Sequence, residues 1–166
     1  MAKGSKPNQP TNKPGEKAVK LITDNRKARF DYSVEDTFEA GIELRGSEVK
    51  SLRAGDVNLK DSYVVFSNGE AFLQNAHIGV YRASSYNNHE PERRRRLLLK
   101  KTELYRLERA LDEKGLTCVP MKLYFKGSWA KAEIAIVKGK KAHDKRDSIK
   151  SRDADRELAQ VKRKHR

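Results

Sequence analysis

From Ala28 to Arg45 the chain reads ARFDYSVEDTFEAGIELR, with an apolar residue at every even position except Asp36 and a polar, charged or glycine residue at every odd one. Period-two alternation is the signature of a strand with one buried face, because successive side chains leave a pleated backbone on opposite sides. This run is therefore expected to be the organising strand, with its even side in the core. At ~3.3 Å per residue it would span roughly 55 Å if straight, about twice the diameter of an ordinary domain of roughly a hundred residues. It must bend. The break in alternation at Asp36-Thr37 is the natural site for a bulge, and a curled strand serving two halves of a sheet is how small barrels close.

The flanking segments supply the rest of a barrel. Val49 and Leu52 are spaced to share one face of a short helix, with Ser47 suited to its start, Glu48 to its positive end, Arg53 to its negative end and Gly55 to a left-handed cap. Val57, Leu59 and Tyr63 to Phe66 read as a second strand and Ala71 to about Tyr81 as a third, joined through Asn68-Gly69, a strong hairpin signal. Arg82 to Arg96 reads as a long polar loop ending in four arginines. Thr102 to Lys114 carries Leu104, Leu107 and Leu111 on one stripe of a longer helix. Thr117 to Phe125 and Ala132 to Ile136 alternate again around a Lys126-Gly127-Ser128 turn, with Pro120 suited to an edge or bulge. The expected fold is mainly β: an oligonucleotide-binding (OB-like) antiparallel β-barrel with two or three short helices.

Charge separates this domain from its extensions. Of a net charge of +14, residues 1 to 19 contribute +3, residues 20 to 137 contribute +4 and residues 138 to 166 contribute +7. The expected organisation is a flexible basic arm over 1–19, the barrel over 20–137 and a basic tail over 138–166 that is disordered in isolation and becomes helical on a partner. Such a distribution points to a polyanion, with nucleic acid ahead of an anionic membrane surface. No apolar run approaches the ~20 residues needed to cross a bilayer, and the N-terminus lacks a secretory core. A cytoplasmic protein that does not engage membranes is expected.

Chemistry of the enzymatic kind finds no residues. The chain has no G-x-S-x-G, Walker loop, C-x-x-C or H-E-x-x-H pattern. The histidines, at 77, 89, 143 and 165, lack local metal-ligand partners; His77 is read as a satisfied, partly buried strand residue and His89 as a loop residue. Cys118 is the only cysteine and reads as a buried thiol. No enzyme, metal site or cofactor is expected. Cations around a barrel suit phosphate contacts, and the residues in question are Arg26, Lys27, Arg29, Arg45, Lys50, Arg53, Lys131 and the Arg93 to Arg96 run. Trp129 is open to two readings, a stacking group exposed beside the turn or a side chain packed on the barrel rim.

Taken together, Asn25-Arg26-Lys27-Ala28-Arg29, Phe38 to Ile42, Gly46 to Gly55, Asp61-Ser62-Tyr63, Pro91 with Arg93, Arg95, Arg96 and Leu97 to Leu99, and Gly139 to Arg146 closely resemble the small protein B family. Members of that family bind bacterial transfer-messenger RNA. The match covers about residues 20 to 150, in order and at family spacing. The resemblance implies a barrel that holds the tRNA-like domain of transfer-messenger RNA. It also implies a tail that enters the decoding centre and empty mRNA channel of a stalled ribosome, against small-subunit rRNA, in trans-translation (ribosome rescue). Elongation factor Tu and alanyl-tRNA synthetase would be partners only indirectly, through the RNA.

On the family pattern Glu39, Leu98 and Lys131 are RNA-binding positions, and Asn25, Arg26, Lys27, Arg29, Gly41, Arg45, Lys50 and Arg53 complete the expected RNA-binding set. Gly139, Lys140, Lys141, His143, Asp144, Lys145 and Arg146 are the expected ribosome-binding tail residues, His143 stacking on an rRNA base. Glu39, an acid in a basic binder, is expected to position a neighbouring cation or accept a hydrogen bond from a base or ribose. The alternative reading is a general ribosomal or single-stranded RNA-binding protein of OB type.

Overall fold

The computed structural model describes residues 18–83 and 88–141, together with Asp144, Arg146, Ile149 and Asp153. In chain order the elements are β1 (Val19–Asp24), α1 (Arg26–Asp31), β2 (Tyr32–Ile42), α2 (Gly46–Ala54), β3 (Val57–Asn58), β4 (Tyr63–Ser67), β5 (Glu70–Gln74), β6 (His77–Ile78), β7 (Arg95–Leu98), α3 (Lys101–Leu111), β8 (Leu116–Lys126) and β9 (Trp129–Gly139). Seven strands form one antiparallel sheet in the order β1-β8-β9-β2-β7-β5-β4, while β3 pairs with β6. Because β4 returns against β8, the sheet closes into the expected OB-like barrel, with β1 added outside the closure.

The organising strand begins later than its alternation suggests. Residues 26–31 are helical, not extended. Asn25 decides this: its Oδ1 accepts from the Ala28 amide at 3.1 Å, capping α1, and its Nδ2 donates to the Leu59 and Pro120 carbonyls at 3.0 Å each. A side-chain cap offers the first turn a partner that an extended chain cannot use. Ala28 then packs under the helix with Val119, Met121, Ala135 and Val137, and Tyr32 against them, in a small apolar cluster separate from the main core.

Parity along β2 also changes. Its register with β9 runs Val34↔Val137 and then Asp36↔Ile136, so Glu35 is an extra residue, a bulge one position before the expected break. A bulge inverts which side chains face inward. Past it, Phe38, Ala40 and Ile42 enter the barrel core with Leu73, Leu97, Leu123 and Ile134. Before it, Tyr32 and Val34 share the outer face with Thr37, Glu39 and Gly41, so the even side of the run is not core throughout. In β8 the register skips from Pro120↔Ile134 to Lys122↔Glu133, leaving Met121 as a second bulge where Pro120 was expected to sit at one.

The hairpin turn has Asn68 and Gly69 both at positive φ, 53° and 73°. The third strand ends early, at Gln74, because Asn75 takes a φ of 55° and redirects the chain so that β6 pairs with β3. α3 closes one end of the barrel through the fully buried Leu107. β9 runs on to Gly139, two residues past the expected end of the barrel at residue 137.

Inside lies an ionic cluster that composition disguises as surface. Glu48, on α2, is 0% exposed, and so is Arg95. Arg93 grips the Glu48 carboxylate with two bonds, Nε to Oε1 at 2.9 Å and Nη2 to Oε2 at 2.7 Å, Arg95 Nε donates to Oε1 at 2.8 Å, and the Arg45 amide donates to Oε2 at 2.6 Å. Arg95 uses its remaining donors on the Ala76, Arg93 and Pro91 carbonyls. Arg95 is thus a strand residue of the interior and Arg93 is turned inward, so neither belongs to an RNA-facing loop. The histidines also exchange roles. His89 is 3% exposed, its Nε2 donating to the Ile78 carbonyl at 3.0 Å and its Nδ1 2.9 Å from Ser47 Oγ, whereas His77 is exposed beside Glu92.

Burial by itself would push the Glu48 carboxyl up; the Arg93 hydrogen bonds, the Arg45 amide and the Arg95 charge outweigh it and hold the group below the usual carboxylate range. Removing one partner of such a cluster leaves uncompensated buried charge. Glu48→Ala is expected to lower unfolding free energy by about 3–5 kcal/mol in urea titrations. With its folded pKa depressed, Glu48 contributes stability that is complete above its unfolded pKa of ~4.3 and disappears as pH falls through the folded value. Glu48→Gln should therefore flatten the acid limb of a stability–pH curve.

Candidate nucleic-acid interface

Strand register assembles the site. On the outer face of the sheet, Leu21 pairs with Tyr124, Tyr124 with Lys131, Lys131 with Gly41 and Gly41 with Leu98, giving one row that crosses β1, β8, β9, β2 and β7. A second row runs Asp24, Lys122, Glu133, Glu39 and a third Val19, Lys126, Trp129. Glu39, Gly41, Leu98 and Lys131, far apart in sequence, thus become neighbours on one surface. Arg29 joins them from α1, lining a cleft of about 520 Å³ with Asp24, Leu21, Glu39, Tyr124 and Glu133.

The surface is a lattice of matched charges and not a bare cationic patch. Lys122 pairs with Glu133 at 2.8 Å, Arg29 with Asp24 at 3.1 Å, and Glu39 serves Lys126 at 3.2 Å and Lys131 at 3.7 Å. Glu39 also accepts from the Tyr124 hydroxyl at 2.5 Å. That bond, with the Lys126 contact, holds the Glu39 carboxyl below its ordinary range, while burial and the Glu39 bond push the Tyr124 phenol well above its own. Glu39 is thus paired with two lysines at once. Pairs at this exposure are weak, so an incoming phosphate can take either ammonium at small loss.

The remaining expected residues are dispersed. Asn25 is 6% exposed with its amide bonded inside the protein, which corrects its reading as an RNA contact: it is the cap and staple of α1. Arg26 and Lys27 are exposed on α1, Lys27 bonded to Asp61. Arg45, Lys50 and Arg53 are exposed along α2, with Lys50 5.1 Å over the Tyr81 ring and Arg53 beside the β8–β9 turn next to Lys20 and Ser128. Arg94 stacks 3.9 Å over Phe72 and Arg96 pairs with Glu43 and Glu70.

Of the tail, Gly139 ends β9, and Lys140 is tied to α1, its amide donating to the Asp31 carbonyl at 2.9 Å and its Nζ to the Arg29 carbonyl at 3.2 Å. Lys141 donates its amide to Asp144 at 3.3 Å, and Asp144 and Arg146 are exposed, helical positions. The readings of His143 and Lys145, and of residues 1–17 of the expected 1–19 arm, lie outside the described residues, while Val19 already opens β1. Sequence reasoning missed Lys122, Tyr124 and Lys126. Their signal was present, since they alternate with the buried Leu123 and Phe125.

Comparison with known proteins now decides the family. The family model described as SmpB protein matches residues 22–164. The chain belongs to the SmpB protein family. Similar proteins include the SsrA-binding protein of Bdellovibrio bacteriovorus, 56% identical over 148 residues, covering 89% of this chain and 97% of the relative. That of Gloeothece citriformis is 55% identical over 141 residues, covering 84% and 91%. A solved structure described by the words "tmRNA-SmpB: a journey to the center of the bacterial ribosome" is 49% identical with a TM-score of 0.63, over 72% of this chain and 85% of that one. Among the described residues no helix is long and apolar enough to cross a membrane.

The Glu39–Tyr124 bond makes a spectroscopic prediction. In Glu39→Gln the Tyr124 phenol should titrate at lower pH than in the parent, followed by NMR of ring-labelled tyrosine. It should remain above the ordinary ~10 because burial persists.

Proposed function

We propose that this chain is an RNA-binding adaptor of trans-translation, which holds the tRNA-like domain of transfer-messenger RNA on its outer sheet face and brings it to stalled ribosomes. The observation that carries the reading is the row Tyr124, Lys131, Gly41, Leu98 with Glu39 beside it. It offers backbone-tracking cations, hydrogen-bonding groups and apolar surface together, as oligonucleotide-binding barrels do. The similarity to SsrA-binding proteins over most of the chain supports the choice of RNA.

The C-terminal tail tests the decoding centre and the mRNA channel against small-subunit rRNA, through Gly139 to Arg146. A segment that orders only on contact can report an empty channel, because it cannot lie there beside mRNA. Elongation factor Tu and alanyl-tRNA synthetase meet the chain through the RNA. The role is cytoplasmic, and no reaction step is assigned to the protein itself.

Competition binding tests this reading. Transfer-messenger RNA should displace the chain from bulk tRNA at physiological salt, whereas equal competition would favour a general RNA-binding protein. Lys131→Ala should weaken RNA binding and reduce the slope of log affinity against log salt by about 1. Truncation after Lys141 keeps β9 whole and should leave RNA affinity largely intact while abolishing rescue of stalled ribosomes; loss of RNA affinity would break the assigned division of labour.

A further inference from the structure

Trp129 is the only tryptophan of the chain, and it opens β9 at 67% exposure, the largest side chain left in solvent on the outer face. It does not pack on the barrel rim. With Leu98, 49% exposed, it borders a groove of about 340 Å³ that Gly41, Ile42, Ala130 and Lys131 complete. Gly41 lines the groove without a side chain, and a Cβ there would press on the Leu98 Cβ at 3.3 Å. Two large apolar side chains held in solvent are costly to leave uncovered.

Charge indicates what covers them. Lys131 forms one wall of the groove and Lys126 is paired across the hairpin with Trp129, so the indole has a lysine neighbour both along its own strand and across the hairpin. Both lysines lean on the single carboxylate of Glu39, which cannot satisfy two cations fully. An apolar partner surface would have to bury these ammonium groups. A polyanion that presents a flat apolar face between its charges would not, and an unpaired nucleotide has this form: a π-face flanked by phosphates. Aromatic platforms flanked by cations are the usual receptor for it.

We infer that the Trp129–Leu98 groove receives one unstacked nucleobase of the bound RNA, the indole stacking on the base and Lys131 and Lys126 meeting the flanking phosphates. The inference rests on the RNA-binding reading above and adds to it a base-sized subsite. Its volume, at the low end of ligand pockets, suits a single base and not a run of them.

Because the chain has one tryptophan, its emission reports the groove directly. Titrating the full chain with the tRNA-like domain of transfer-messenger RNA should quench Trp129 fluorescence in step with binding measured independently by filter retention. Trp129→Phe, which keeps a ring face, should bind within about threefold of the parent. Trp129→Leu, which keeps apolar bulk without a π-system, should lose roughly tenfold or more, as stacked aromatics do on truncation. Circular dichroism of both variants should match the parent, since the side chain is exposed. Binding with unchanged Trp129 emission, or equal affinity of the Leu and Phe variants, overturns the subsite and leaves the groove to a protein surface. In those cases a loss of affinity in Lys131→Ala keeps the RNA-binding reading standing. No RNA binding by the parent chain overturns both.

Discussion

A buried carboxylate shared by two arginines holds this molecule in register. Glu48 reaches from α2 into the interior, and Arg93 and Arg95 come to it from the approach to β7. Desolvating three charges is expensive, and the cluster persists because the donors and acceptors within it are matched almost completely. Its position has a consequence for the surface. Arg95 is the first residue of a four-residue strand, so clamping it sets which residues of β7 point out. Leu97 enters the core, and Leu98 arrives opposite Gly41 on the outer row. The interior ion cluster thus determines where an apolar contact of the interface stands.

Two bulges complete the arrangement. Glu35 in β2 and Met121 in β8 each add one residue, on strands that flank β9 from opposite sides. Each inverts the facing of its strand midway. On one side of the bulges, the outer face is apolar and is covered by α1 through Ala28, with Tyr32 of β2 packed beside it; on the other it is charged and open. A regular sheet would have had to choose one character for the whole face. The bulges let a single curved surface carry a docked helix and an exposed lattice of lysines and carboxylates.

The barrel was legible because its signals are local. Asn68-Gly69 specifies its turn by backbone conformation, and the stripe of Leu104, Leu107 and Leu111 specifies α3 by spacing. What could not be read depends on partners distant in the chain. Asn25 looks like a polar residue in a basic knot until the carbonyls of Leu59 and Pro120 arrive, 34 and 95 positions away. Glu48 looks like a complement to a helix dipole, and Arg93 and Arg95 like surface cations, until folding brings them together across 45 and 47 positions. A bulge shifts parity by one residue and leaves almost no mark in composition, so Tyr32 and Val34 were assigned to the wrong face. The outer-face residues were legible from family resemblance for Glu39, Leu98 and Lys131. Tyr124 and Lys126 needed the register of β8 against β9 to show what they support.

Lys140 fastens the chain to the backbone of α1 at Arg29 and Asp31, and Arg29 borders the cleft that holds Glu39. Everything beyond that point therefore departs from a pivot set a short way from the interface. Under the function proposed above, a ligand seated on the sheet and a second one bound by the C-terminal segment would be held at a high local concentration relative to each other, set by their linkage in one chain and not by bulk abundance. Two weak engagements joined in this way would act as one strong one, each favouring the other.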